Sequence, residues 1–171
     1  MERIRMGPVG LMQRCHFVWD ETGQNVISHI NVSFSKKGVT SIQFGYVENG
    51  ALVMSVTYGS SSAVCSRRIL RLKHESEFVT GISGELYNGY ISSLTFHTNQ
   101  RKHEAVHSTL ESGKEVSEKL EFHSGIFERR EFLGFFGSSN RSQLISIGFY
   151  VRLMLPNVMA IKQENVSTSR P

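Results

Sequence analysis

Three stretches of this 171-residue chain share one form: a serine, an aliphatic residue, a variable residue and a phenylalanine. They are Ser41-Ile42-Gln43-Phe44, Ser93-Leu94-Thr95-Phe96 and Ser146-Ile147-Gly148-Phe149, with the serines 52 and then 53 residues apart. A fixed period of this size marks a repeat architecture, whose units bury their apolar faces against one another. Within each unit the period is two. Ile42, Phe44 and Tyr46 alternate with Gln43 and Gly45, and Ile147, Phe149 and Val151 alternate with Gly148 and Tyr150. Alternation puts the large apolar residues on one face of a strand, whereas a helix would need a period near 3.6.

Other runs read as strands: Ile27–Phe34, Ala51–Tyr58, Arg68–Lys73, Phe78–Ile82, Lys119–Phe122 and Glu131–Phe136. Turn chemistry separates them. Glu48-Asn49-Gly50 is a hairpin signal, and Ser35–Gly38, Gly81–Gly84 and Gly137–Asn140 punctuate the rest. The charged stretch Glu111–Leu120 tolerates a helix but reads better as a solvated loop or strand face. Short, evenly spaced strands repeated three times predict a closed or prism-like all-β fold, with three near-equal units filling about Gly7 to Leu155. Residues 1–155 read as one domain. From Pro156 the pattern stops, and 156–171 reads as a flexible tail. Its Ser167, Thr168 and Ser169 are phosphorylatable, though serine-rich ends are usually only flexible.

The bulk numbers narrow the function classes. Net charge is +4, but the basic residues cluster only in pairs such as Lys36-Lys37, Arg67-Arg68 and Arg129-Arg130. A nucleic-acid partner needs a denser patch and is not expected. The two cysteines, Cys15 and Cys65, read as reduced buried thiols. No run approaches the ~20 apolar residues of a membrane span. Met1–Gly10 has no apolar core of a signal peptide, so a cytoplasmic location is expected and the sequons at Asn31, Asn140 and Asn165 are expected to stay bare.

Catalytic and metal signals are weak. His103 and His107 have helical ligand spacing, yet the segment reads as a loop with no cysteine or aspartate beside it. A Ser-His-Asp triad would have to use Asp20, the chain's sole aspartate, next to a Trp19 that reads as core. Gly81-Ile-Ser-Gly84 lacks the lysine of a phosphate loop. The expectation is a protein that is not an enzyme, with no catalytic residue, metal or cofactor.

Six segments, in order, resemble the jacalin-related lectins. They are Met6-Gly7-Pro8-Val9-Gly10, Val18-Trp19-Asp20-Glu21, Gly38–Tyr46, Phe78–Glu85, Ile91–Asn99, and Gly134–Gly137 continuing through Leu144–Val151. The resemblance implies a β-prism of three four-stranded sheets about a pseudo-threefold axis, and, from the family's plant, mannose-type branch, binding of mannose-type glycans. It also implies a sugar site at one end of the prism, between the loops that follow Gly10, follow Asn99 and precede Ser146. The carbohydrate-binding residues it points to are Gly10, Gly137, Ser142, Gln143, Leu144 and Ile145. Ile145 stands where the family has its site aspartate, and the loop after Gly10 lacks further glycines. The opening Met6-Gly7-Pro8-Val9-Gly10 and the carboxylate-free Leu144–Gly148 stretch also resemble a branch of the family that restricts long-distance movement of viruses in plants. That branch implies an interaction protein in plant defence, acting through protein partners or self-association instead of sugar.

Overall fold

The structure is a computed structural model that describes residues 4–10, 17–22, 26–36, 38–60, 65–87, 90–106, 118–123 and 130–153. Thirteen strands and no helix occur among them: β1 (Ile4–Gly10), β2 (Phe17–Glu21), β3 (Val26–Ser35), β4 (Gly38–Glu48), β5 (Ala51–Met54), β6 (Tyr58–Gly59), β7 (Ser66–Arg71), β8 (Val79–Tyr87), β9 (Tyr90–Thr98), β10 (Lys102–Val106), β11 (Glu118–His123), β12 (Arg130–Ser139) and β13 (Leu144–Leu153). They form three antiparallel sheets ordered β1-β13-β12-β2, β5-β4-β3-β7 with β6 also on β4, and β10-β9-β8-β11. Each sheet is a central hairpin with an outer strand on either side. The three Ser-x-x-Phe segments lie on β4, β9 and β13, the second strand of each hairpin.

The expected three-unit prism is therefore present, with one change in how the chain builds it. The second and third sheets come from contiguous chain, 26–71 and 79–123, but the first takes β1 and β2 from the start and β12 and β13 from the end. The repeat survives this split because it is carried by the hairpins, while the outer strands come from wherever the chain passes. The expected single run Ala51–Tyr58 is two strands, β5 and β6, and Lys102–Val106, read as a loop, is a strand. Residues 154–171, and so the expected tail, lie outside the described residues, as do Cys15 and His107.

The alternation does what the sequence predicts. Ile42, Phe44, Leu94, Phe96, Ile147 and Phe149 are all buried in one core. Phe135 of β12 joins the sheets there: its ring stacks on Phe44 at 5.0 Å and meets Phe96 edge-on at 5.8 Å. Trp19 is buried, stacked on Tyr58 at 4.7 Å, as expected of a core residue.

Beside Trp19, Glu21 of β2 accepts hydrogen bonds from Tyr46 Oη (2.8 Å) and Tyr58 Oη (2.6 Å), tying the first sheet to the second. Burial, then the hydrogen bond to this carboxylate and its charge, push both phenols well above their ordinary pKa. Glu21→Gln should cost about 1–2 kcal/mol, since a bond to a charged group is worth more than one to an amide. An alkaline absorbance titration should show a phenol ionising earlier than in the wild type. Unchanged melting and an unchanged titration would contradict this role.

Candidate functional site

The two ends of the prism differ in chemistry. One carries the Ser139–Leu144 turn of the β12–β13 hairpin and the start of β2. Phe17, Asn140, Arg141 and Ser142 line a shallow depression there of about 470 Å³. Phe17 is more than half exposed, an apolar ring facing solvent. The turn is shaped by its own bonds. Asn140 Oδ1 accepts the backbone N–H groups of Ser142 and Gln143, both at 2.7 Å, and Asn140 N–H donates to the Gln143 carbonyl at 3.0 Å. Such side-chain-to-backbone closure fixes a turn before any ligand arrives.

The backbone beneath this turn is packed to the limit. Gly10 ends β1 opposite Ser146, with φ +127°, and a Cβ on it would lie 2.1 Å from the Ile145 carbonyl oxygen. Gly137 sits in β12 between Ile147 and Trp19 in register, and a Cβ there would lie 2.1 Å from the Ser146 oxygen. Both glycines let neighbouring strands close on β13. Gly59 repeats the arrangement in the second sheet, opposite Ser41, with φ +106° and a Cβ position 2.2 Å from the Thr40 oxygen. This symmetry mate of Gly10 escapes a sequence reading, because its strand is only two residues long.

The six residues implied by resemblance thus divide. Ser142 is exposed and lines the depression. Gln143 is mostly buried, and Leu144 and Ile145 are fully buried, so only their main chain can reach a ligand. Gly10 and Gly137 shape the strands that carry the turn. Phe17, Asn140 and Arg141, not among the six, complete the lining. The sequence holds no clear signal for Phe17, because its exposure is settled only by the packing of β2 on β12.

One loop must be moved. Gly38, at the start of β4, packs its backbone on Ile91, at the start of β9, where a Cβ would meet the Ile91 oxygen at 2.4 Å. β4 and β9 therefore start at the same end, and β13 runs with them: Trp19, level with Ile147, stacks on Tyr58, level with Ile42, while Glu21, level with Phe149, reaches Tyr46 further along β4. Asn99 follows the far end of β9, roughly 25 Å along the strand from its start. The turn after Asn99 thus lies at the opposite end from the Ser139–Leu144 turn.

That opposite end holds a buried carboxylate. Glu77 Oε1 and Oε2 take a two-pronged contact from Arg101 Nε (3.1 Å) and Nη2 (3.2 Å). His103 Nε2 stands 2.8 Å from Oε1, Thr98 Oγ1 donates at 2.7 Å, and the Lys73 N–H donates to Oε2 at 2.9 Å. Burial works against the charged form, but bonds from Arg101, His103, Lys73 and Thr98 outweigh it and hold the carboxyl down to about 2. His103, weighed as a metal ligand, is here a partner of Glu77. Among the described residues no group of three or more His, Cys, Asp or Glu side chains could hold a metal. Asp20 is engaged by Tyr150 Oη at 2.6 Å. No helix among the described residues is long and apolar enough to cross a membrane.

Comparison with known proteins agrees with the architecture. The jacalin-like lectin domain model matches residues 6–150. Jacalin-related lectin 24 of Arabidopsis thaliana is 41% identical over 166 residues, spanning 95% of this chain and 73% of that protein. Protein RESTRICTED TEV MOVEMENT 1 of the same plant is 32% identical over 166 residues, spanning 91% of each. Among solved structures, a mannose-specific jacalin-related lectin from Morus nigra in complex with mannose superposes with a TM-score of 0.70 at 24% identity, over 90% of this chain and 96% of that one. The matched segment covers both hairpins of the contiguous sheets and the split first sheet alike, and the chain belongs to the jacalin-like lectin domain family.

Proposed function

We propose that this chain is a non-catalytic carbohydrate-binding domain whose saccharide site is the depression between Phe17 and the Asn140–Ser142 turn. The observation that carries the reading is that turn itself: preformed, exposed and set beside a solvent-facing aromatic ring. A pyranose offers hydroxyls on its rim and C–H groups on its face, so it suits polar turn atoms beside an aromatic surface. The mannose-specific Morus nigra relative, of the same fold, supports mannose-type glycans as ligands. A cytoplasmic location goes with this proposal.

With Ile145 buried, the turn supplies no carboxylate to grip two hydroxyls at once. A millimolar complex is worth only about −4 kcal/mol, and one charged hydrogen bond roughly 1.5–3 kcal/mol. Monosaccharide affinity should therefore be millimolar or weaker, with oligomers binding better. Calorimetric titration of mannose and mannose oligomers tests this, with Phe17→Ala expected to weaken binding several-fold while leaving the melting temperature in place. Silence from these sugars and from a broad glycan array would overturn the reading.

A second reading has its own support: an interaction protein in plant defence that restricts virus movement through protein partners or self-association. The 32% likeness to RESTRICTED TEV MOVEMENT 1 favours it. So does the edge strand β5, whose four residues are all exposed and include Leu52, Val53 and Met54. Sedimentation of the intact chain tests self-association, and Leu52→Lys should abolish any dimer that uses this edge.

A further inference from the structure

We propose that the depression at Phe17 and the Asn140–Ser142 turn prefers acidic saccharides, with the sugar carboxylate seated on Arg141. This rests on the reading of that depression as the saccharide site, and names the ligand class it selects.

The charge around the site is one-sided. Among the described residues, Arg141 is the only charged one that lines the depression. It is exposed and makes no ion pair among the described residues. The described strand ends that frame the site, Pro8–Gly10, Phe17–Val18 and Phe132–Val151, contain no aspartate or glutamate. The carboxylates on β2, Asp20 and Glu21, keep their charge but stand three and four residues along the strand from Phe17, roughly 10 Å or more away, where they accept from Tyr150 and from Tyr46 and Tyr58. More cations flank the same end, with Lys36 in the β3–β4 turn and the exposed Arg67 opposite Ser33 near the end of β3. A neutral sugar gains nothing from such a field, whereas an anionic one is drawn in and held.

The geometry of the groups fits a hexuronate. A guanidinium meets a carboxylate through two parallel N–H bonds in one plane, which an ammonium does not offer. The Phe17 ring would cover the apolar face of the pyranose, and the exposed Ser142 would offer its hydroxyl to a ring hydroxyl. Nothing here oxidises, cleaves or transfers a group, so the site binds without chemistry.

The test is calorimetry of the full chain with three trisaccharides: a hexuronate trimer, its methyl ester, and mannotriose. The ester keeps every hydroxyl and removes only the charge. The acid should bind at least about tenfold more tightly than the ester at low salt, as one charge-assisted contact in a partly dehydrated site implies. That preference should shrink as salt is raised. Arg141→Gln should erase it with no change in melting temperature, because Arg141 is exposed. Phe17→Ala should weaken acid and ester alike. Equal affinity for acid and ester, tighter binding of mannotriose, or an undiminished preference in Arg141→Gln would each overturn this proposal while leaving the saccharide site standing. Absence of binding by all three sugars would overturn both.

Discussion

Glu77→Gln should lower the melting temperature by about 6–12 °C, at some 3 kcal/mol and 2–4 °C per kcal/mol for a domain of this size. The figure follows from the carboxyl being held near 2 against an ordinary 4.5, about 1.4 kcal/mol for each unit. Glutamine keeps the shape of the side chain. It loses the charge that faces Arg101, and its amide N–H group competes with the donors already there. Glu77 is 1% exposed, so water cannot replace what is lost. Arg101 is about half exposed and should matter less when replaced by methionine. Its loss and the Glu77 loss should not add, because they remove the same contact.

The same residue sets an acid dependence. A carboxyl whose folded pKa is depressed stabilises the fold above its unfolded value and loses that contribution as pH falls towards the folded value. For Glu77 the window is from about 4.5 down to about 2. Denaturant titrations across it should show the wild-type advantage over Glu77→Gln falling from about 3 kcal/mol to near nothing. Parallel stability curves for the two proteins would show that Glu77 does not carry it.

How much of this was open to the sequence depends on which physics wrote each part. The hairpins were legible because burial of one sheet face forces period-two alternation, and Ile42, Phe44, Leu94, Phe96, Ile147 and Phe149 all obey it. The split first sheet was not, because β1 and β2 are placed by closure of the prism and not by local pattern. β10 reads as loop because Arg101-Lys-His-Glu104 is polar throughout, yet His103 points at a carboxylate buried 26 residues earlier in the chain. A buried ion pair leaves no hydrophobic signature. At the candidate site, the sequence located the turn and Ser142 of its lining, but not the parts of Phe17 and Arg141. Leu144 and Ile145 follow it and are core, while Phe17 comes from the other end of the chain and meets the turn only through the pairing of β2 with β12.

Gly10 offers the strongest check on that geometry. Gly10→Ala should destabilise the fold by at least about 3 kcal/mol, because it combines backbone strain with a hard clash. The two causes can be separated within this chain. Gly50 has φ +79° but open space where its Cβ would go, so Gly50→Ala should carry only the torsional cost, about 1 kcal/mol. Gly59 has both a positive φ and a Cβ position 2.2 Å from a carbonyl oxygen, so Gly59→Ala should resemble Gly10→Ala in stability. The pair should then part company in ligand binding. Gly59 lies in the second sheet, against β4, whereas Gly10 lies against Ile145 and Ser146, which follow directly on the turn lining the depression. At a temperature where both variants remain folded, saccharide affinity should fall in Gly10→Ala and hold in Gly59→Ala. Chemical denaturation and calorimetry on the three variants decide it. A Gly10→Ala protein as stable as Gly50→Ala would mean that β1 does not close on β13 as described. Equal loss of affinity in Gly10→Ala and Gly59→Ala would mean that the prism responds as a whole and that no local link joins Gly10 to the turn.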